Sequence, residues 1–206
     1  MASIRDFKYK RIKNFFTPEE LKILQPYCYK KVYKSQGTQV NKEGPYFEED
    51  PTFSPAWYND DLMDTVLENK EAMLSEHAGL NLIRTYAFWR YYIYGSILKS
   101  HRDRPSCEVS ITACIKKYDN WPIIMNGKKF ELEEGEGVMY LGCMIPHGRP
   151  GIYKGNGIAQ VFMHYVEKDG PFAHHALDTV NKKSGHRLLV TPEDEIYLQK
   201  ERKKYA

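Results

Sequence analysis

A chain of 206 residues with 42% hydrophobic and 28% charged residues can bury the core of one globular domain, which excludes a disordered protein. The net charge of +3 resides in residues 181–206, where seven basic residues outnumber four acidic ones, so the remaining body is neutral. Because the body has no basic surface, binding to nucleic acid is not expected.

The absence of targeting signals and the cysteine pattern predict a cytoplasmic protein with no membrane partner. The first residues, MASIRDFKYK, lack the apolar segment of a signal peptide, and the longest apolar run, residues 138–145, is too short to cross a bilayer. The four cysteines form no CxxC pair, which favours reduced thiols over a disulfide framework or a zinc ribbon.

Helix signals dominate the first 80 residues. Thr17 caps a helix that begins at Pro18, and Pro26 is expected to end it. A second helix is predicted over about 60–77 from its apolar stripe, with Gly79 as the terminating residue.

From about residue 80 the sequence changes to short β-type segments separated by Gly, Pro, Asn and Asp. Asn126-Gly127 predicts a hairpin turn between two of them. No alternation of strands and helices indicates a parallel sheet, so the predicted fold is mainly β with flanking helices around a double-stranded β-helix (jelly-roll, cupin-like) core. The predicted strands lie within residues 82–94, 107–115, 122–132, 137–145 and 158–166.

The chain is predicted to form a single domain, residues 1–175, followed by a polar tail, residues 176–206. Within the tail, Thr191 caps a helix predicted over 192–204, whose acidic start and basic end match the helix dipole. We expect this helix to be solvated rather than bound to nucleic acid or a membrane.

The tripeptide His-Arg-Asp at 101–103 is a candidate half of a metal site. On an extended segment the side chains of His101 and Asp103 point to the same side and can share one ion. A third ligand must come from elsewhere in the chain. His147 is favoured because it follows a strand and enters a Gly-rich bend, where barrel folds place their chemistry.

The other histidines are weaker candidates for the third ligand. His164 lies within a strand and is the reserve choice if His147 is wrong. His174 and His175 are adjacent, so on a regular element they are expected to point apart and not to chelate one ion together.

Two imidazoles and one carboxylate on one face of an ion leave three octahedral positions open, which is typical of non-haem Fe(II) oxygenases. A keto acid can take two of those positions and dioxygen the third. A three-ligand zinc site is the alternative, but hydrolytic zinc sites leave one position open.

Three stretches of the sequence share a family pattern: YKRIKNFFTPEELKIL, RYYIYGSILKSHRDRPSCEVS and LEEGEGVMYLGCMIPHGR. They resemble the opening strand and helix, the segment leading into HxD and the Gly-rich turn before the second metal histidine of the 2-oxoglutarate/Fe(II)-dependent dioxygenases. The likeness is to small prolyl-4-hydroxylase-like members of bacteria and phages, and it covers residues 9 to about 171.

The resemblance implies that His101, Asp103 and His147 bind Fe(II), with 2-oxoglutarate as cosubstrate, dioxygen as oxidant and ascorbate as reductant. It also implies hydroxylation of an unactivated C–H bond, coupled to decarboxylation of 2-oxoglutarate to succinate. The implied substrate is a prolyl residue of a peptide or protein, or a free amino acid. Asp103 favours hydroxylation, because halogenating members have Gly or Ala at this position.

The chain departs from the family at the anchor for the remote carboxylate of 2-oxoglutarate. Many relatives use a Lys or Arg at the start of the strand after the second metal histidine, but residues 155–162, GNGIAQVF, contain no base. Arg149 is predicted instead, because it lies two residues beyond His147 and its guanidinium suits a carboxylate. Tyr92 and Thr112 are predicted to donate further hydrogen bonds. The reserve bases are Lys154, Lys116 and Lys117.

Substrate contacts are predicted at Arg104, for a carboxylate or carbonyl, and at Glu108, for an amine. Tyr91 and Tyr94 are further candidates for lining the pocket beside Tyr92, although side chains on one strand alternate. The alternative function is a catalytically silent jelly-roll module that binds a ligand or has a structural role.

Overall fold

The computed structural model describes residues 2–35, 52–58, 60–178 and 190–205. Its helices are α1 (Ile4–Phe7), α2 (Pro18–Ser35), α3 (Asp61–Ala78) and α4 (Pro192–Arg202). Its strands are β1 (Tyr9–Ile12), β2 (Ala56–Tyr58), β3 (Leu82–Tyr92), β4 (Val109–Lys117), β5 (Ile123–Met125), β6 (Lys128–Phe130), β7 (Gly137–Tyr140), β8 (His147–Gly148) and β9 (Ile158–Glu167).

The strands form two antiparallel sheets. The larger sheet has the order β1-β7-β4-β9-β3-β2, and the smaller one has the order β6-β5-β8. The central strands β4 and β9 are buried almost throughout, as expected for strands covered on both faces. This arrangement confirms a mainly β fold with flanking helices.

Two predictions that rest on short sequence signals are confirmed: the hairpin turn and the second long helix. Asn126 and Gly127 have φ of 46° and 79°, and they join β5 to β6 in a tight hairpin. Helix α3 begins after Asp60, whose carboxylate accepts from Met63 N, and ends at Gly79 in the left-handed region.

The prediction that Pro26 ends the first long helix is wrong, because α2 continues through Pro26 to Ser35. A proline inside a helix removes one backbone hydrogen bond and costs about 3 kcal/mol. The helix tolerates this loss because Leu24, Cys28 and Val32, one turn apart, are all buried against the core.

The C-terminal helix is not a solvated tail. Leu198 of α4 and Tyr205 of the following 3₁₀ turn are buried, and Arg202 Nε donates to the carbonyl of Cys143 at 2.9 Å. The predicted bounds of the helix are close to those observed, but one face of α4 packs on the domain. Residues 179–189 of the predicted tail lie outside the described residues. Among the helices that the structure describes, none has the length and apolar character needed to cross a bilayer.

Candidate metal centre

Backbone pairing brings His101 and His147 together. The two residues form an antiparallel bridge in which His101 N donates to His147 O and His147 N donates to His101 O, both at 2.9 Å. Side chains of such a directly opposed pair lie on the same face of the sheet. Their imidazole rings are consequently 4.5 Å apart between centroids.

Asp103 completes the cluster. Its Oδ1 lies 3.5 Å from His101 Nε2, and its Oδ2 lies 3.5 Å from His147 Nε2. Oδ2 is buried and accepts no hydrogen bond, which is costly for a carboxylate oxygen unless a cation neutralises it. Gly142 leaves space for this carboxylate, because a Cβ there would lie 2.8 Å from Oδ2. The structure therefore brings the three predicted ligand residues together.

Backbone carbonyls orient both imidazoles. Nδ1 of His101 lies 2.9 Å from Lys99 O, and Nδ1 of His147 lies 2.9 Å from Ile145 O. A carbonyl only accepts, so each Nδ1 carries the proton and each Nε2 presents its lone pair. This tautomer, held from behind by a hydrogen bond, is the one that metal-binding histidines use.

Electrostatics keeps the carboxylate of the cluster ionised. Burial alone raises the pKa of Asp103, but the nearby imidazoles of His147 and His101 outweigh it and hold the pKa far below its ordinary value. One ionised carboxylate and two imidazole nitrogens are a donor set for a divalent transition metal.

A second polar group surrounds Asp103 and was missed by sequence reasoning. One donor atom each of Asp103, Cys107 and His164 lies within 4.8 Å of the others. The reserve histidine therefore adjoins the Asp103 carboxylate, and its Nδ1 lies 2.8 Å from Ser110 Oγ. Tyr140 was also missed, and its hydroxyl lies 3.4 Å from His147 Nε2. Its position on the strand that precedes His147 was the available signal.

The predicted 2-oxoglutarate residues Arg149 and Tyr92 lie next to each other in the interior. The guanidinium of Arg149 stacks over Tyr92 at 5.1 Å and over Trp121 at 5.2 Å, and it donates to the carbonyl of Trp121. Two polar atoms here are buried without a partner, Arg149 Nε and the Tyr92 hydroxyl. Two donors without an acceptor in one buried place are the arrangement that an anionic ligand satisfies.

Thr112, the third residue predicted to bind 2-oxoglutarate, lies on β4. It is fully buried, and its Oγ1 accepts from Gln160 Nε2 at 2.6 Å. A hydroxyl that accepts one hydrogen bond still has its own proton to donate. Gln160 was not foreseen as part of this group.

The three lysines held in reserve as the base for 2-oxoglutarate are either paired with carboxylates or exposed. Lys116 and Lys117 pair with Glu134 and Glu133, each at 2.8 Å, and Lys154 is exposed. Arg149 is thus the predicted base that the structure places inside, stacked on Tyr92.

The predicted substrate residues have different surroundings. Arg104 lies half-buried over the ring of Tyr86 and donates to Asp178 at 2.5 Å, but its Nη1 is buried without a partner. Glu108 is engaged in the fold, since it accepts from Arg5 at 2.7 Å and from Glu167 N at 2.8 Å.

The tyrosines of β3 and its end separate as strand alternation requires. Tyr92 is fully buried, Tyr91 lies half-buried against Asn156, and Tyr94 is 72% exposed. The structure therefore brings Tyr92 alone of these three into the interior group.

No protein-family profile and no curated protein matches the sequence. Solved structures do match. The viral collagen prolyl hydroxylase of Paramecium Bursaria Chlorella virus-1, in a 2OG complex, is 11% identical with a TM-score of 0.54, covering 77% of this chain and 94% of that one. A Pseudomonas putida prolyl-4-hydroxylase is 14% identical with a TM-score of 0.55, covering 78% and 92%. EctD from S. alaskensis, with 2-oxoglutarate and 5-hydroxyectoine, is 12% identical with a TM-score of 0.59, covering 78% and 72%.

These neighbours place the chain in a fold class. The chain has the double-stranded β-helix fold of the 2OG-Fe(II) oxygenases, which confirms the predicted fold and, at the level of the fold, the resemblance stated from the motifs. At 9–14% identity the likeness concerns the fold, and chemistry has to be argued from the site.

Proposed function

We propose that the protein is an Fe(II)- and 2-oxoglutarate-dependent oxygenase that hydroxylates an unactivated C–H bond. The observation that carries this proposal is the convergence of His101 Nε2, His147 Nε2 and the Asp103 carboxylate, with both Nδ1 atoms bound to backbone carbonyls. This donor set would hold an ion by one face and leave room for a bidentate keto acid and dioxygen.

Iron fits these residues because the buried Asp103 Oδ2 lacks a hydrogen-bond donor and both imidazoles are in the metal-binding tautomer. When bound, iron would supply the activation of dioxygen that C–H hydroxylation needs. The chain's part is to hold the ion on one face and to keep the Asp103 carboxylate ionised. Gly142 keeps the space behind the carboxylate open.

Arg149 is the proposed anchor for 2-oxoglutarate. A buried carboxylate requires a cationic partner, and a guanidinium offers two parallel donors to it. Arg149 Nε and the Tyr92 hydroxyl are the donors without an acceptor, and Thr112 retains a hydroxyl proton. The reserve lysines at 116 and 117 have their own carboxylate partners.

The substrate is proposed to enter through a cavity of about 440 Å³ beside Asp103, lined by Arg102, Arg104 and Arg202. Nε of Arg102 and of Arg202 donate to adjacent carbonyls, at 2.8 and 2.9 Å, which fixes both guanidinium groups at the rim. Their charge suits the carboxylate of a free amino acid or the carbonyls of a prolyl peptide. Glu108 contributes less to this proposal, because Arg5 already occupies its carboxylate.

The test is succinate formation from 2-oxoglutarate with Fe(II) and ascorbate, with EDTA as the negative control. His101→Ala, Asp103→Ala and His147→Ala should each abolish turnover and iron binding, because each removes one of three protein ligands. His77→Ala, on α3 and in none of the donor clusters that the described residues form, is the matched control and should keep full activity. Full activity in His147→Ala would direct the assignment to His164.

A second experiment addresses the substrate. Mass spectrometry of proline-containing peptides and free amino acids after incubation should reveal the gain of one oxygen atom. Products from free amino acids alone would remove the peptidyl alternative. Bound iron with no turnover on any compound would favour the catalytically silent module. The four cysteines that the structure leaves unbridged and buried are consistent with the proposed cytoplasmic location.

A further inference from the structure

A second cluster of metal-binding groups lies where the C-terminal helix meets the domain. His174 and His175 occupy a 3₁₀ turn, Ala173–His175, that follows β9. Asp194 lies in the first turn of α4 and is 2% exposed. The expectation that the two adjacent histidines point apart is wrong, because the tight turn places their rings 4.3 Å apart, tilted by 40°.

Both imidazoles direct Nε2 at the same carboxylate. His174 Nε2 lies 3.2 Å from Asp194 Oδ1, and His175 Nε2 lies 3.0 Å from Asp194 Oδ2. Two ligand atoms about 2.1 Å from one tetrahedral ion lie roughly 3.4 Å apart, so this spacing fits a shared ion. Donor atoms of the three residues all lie within 4.8 Å of one another.

We propose that Nε2 of His174, Nε2 of His175 and the carboxylate of Asp194 form a zinc site that is distinct from the His101–Asp103–His147 centre. Two imidazoles and one carboxylate are a common donor set for zinc, which accepts distorted tetrahedral geometry without electronic cost. The side chain of His174 is 47% exposed, which gives the ion an entry path and leaves the fourth position to water. This proposal does not depend on the proposed oxygenase activity.

Hydrogen bonds to the start of α4 fix the Asp194 carboxylate in position. Asp194 Oδ2 accepts from Thr191 N at 2.9 Å, and Thr191 Oγ1 accepts from Asp194 N at 3.2 Å, so a capping box fixes the side chain. A carboxylate has lone pairs for about four contacts, which leaves Oδ1 and part of Oδ2 for an ion. Hydrogen bonds that orient a ligand in this way are typical of metal sites.

Zinc at this position would join α4 to the 3₁₀ turn that follows β9. The same helix supplies Leu198 and Arg202 to the cavity beside Asp103. Occupancy of the zinc site would therefore stabilise the wall of that cavity, although none of the three zinc-site residues lines it.

Equilibrium dialysis with zinc and metal analysis of the dialysed protein test the proposal. The background variant His101→Ala/Asp103→Ala lacks the His101–Asp103–His147 centre. It should still bind one zinc per chain, at the second cluster. Adding His174→Ala should remove that zinc, while adding His77→Ala should leave it. In the background variant, zinc at 100 times its Kd should raise the Tm by roughly 5–10 °C and slow hydrogen exchange in α4. The addition of His174→Ala should abolish both effects.

His174 is half exposed, so its replacement should not unfold the protein, which circular dichroism verifies. Wild-type protein compared with His174→Ala provides a second measurement, with an expected difference of one zinc per chain. Equal zinc binding with and without His174 would overturn the proposal. So would a folded background variant that binds no zinc, since the second cluster is intact there.

Discussion

Replacing Arg149 with Ala tests the unusual anchor for 2-oxoglutarate. Arg149 is 8% exposed, stacks on Tyr92 and Trp121, and has a buried Nε without a partner. If Arg149 binds the remote carboxylate, the variant loses a charge-assisted hydrogen bond at a largely buried position. We expect weaker 2-oxoglutarate binding and little change in iron affinity.

The magnitude follows from the energy of that bond. A hydrogen bond to a charged group contributes about 1.5–3 kcal/mol, and each 1.4 kcal/mol is a factor of ten in affinity. The KM for 2-oxoglutarate should therefore rise by one to two orders of magnitude. Arg149→Lys should fall between wild type and Arg149→Ala, because an ammonium keeps the charge but loses the planar pair of donors.

The assay is succinate formation at varied 2-oxoglutarate, combined with a direct measurement of 2-oxoglutarate binding in the absence of oxygen. Arg149 also donates to the carbonyl of Trp121, so the Tm of each variant has to be measured to exclude a loss of folded protein. Lys154→Ala is the matched control, because Lys154 is an exposed base close in sequence. An unchanged KM and Kd in folded Arg149→Ala would refute the assignment.

Three further predictions concern other parts of the fold and site. Tyr92→Phe should raise the KM for 2-oxoglutarate about two- to tenfold in the same assay, since one neutral hydrogen bond is worth roughly 0.5–1.5 kcal/mol. Gly142→Ala should lower iron affinity about 10–100-fold by metal analysis, because the added Cβ would lie 2.5 Å from Cys107 O and Ser110 Oγ and 2.8 Å from Asp103 Oδ2, which displaces the carboxylate and its neighbours. Leu198→Ala should reduce the free energy of unfolding by about 2–4 kcal/mol in urea titrations, whereas Ile196→Ala, at a 69% exposed position of the same helix, should change it by no more than about 0.5 kcal/mol. Equal changes in the free energy of unfolding for Leu198→Ala and Ile196→Ala would contradict the packing of α4 on the domain.

Short-range patterns in the sequence determined the local structure and two of the three residues of the candidate metal centre. Capping residues, the Asn126-Gly127 turn and the strand segments act over a few residues, so they can be interpreted without knowing what packs against them. The spacing of His101 and Asp103 is of the same kind, because two residues on an extended segment necessarily face one way. The choice of His147 rested on its surroundings in the sequence and on the family resemblance.

Tertiary structure decided which distant residues meet. The bridge between residues 101 and 147 and the orphaned donors of Tyr92 and Arg149 depend on strand pairing and stacking across the interior. Pro26 remains helical because the burial of α2 outweighs the backbone hydrogen bond that the proline loses. Helix propensity alone does not include that burial.

The C-terminal helix shows most clearly that short-range sequence patterns do not predict tertiary packing. Its polar sequence predicted a solvated tail, yet Leu198 and Tyr205 are buried and Asp194 meets two histidines about 20 residues earlier in the chain. A few apolar side chains are enough to dock a helix when a complementary surface exists. That surface is assembled from residues such as Arg5 and Cys143, which come near α4 and the 3₁₀ turn after it only when the chain has folded.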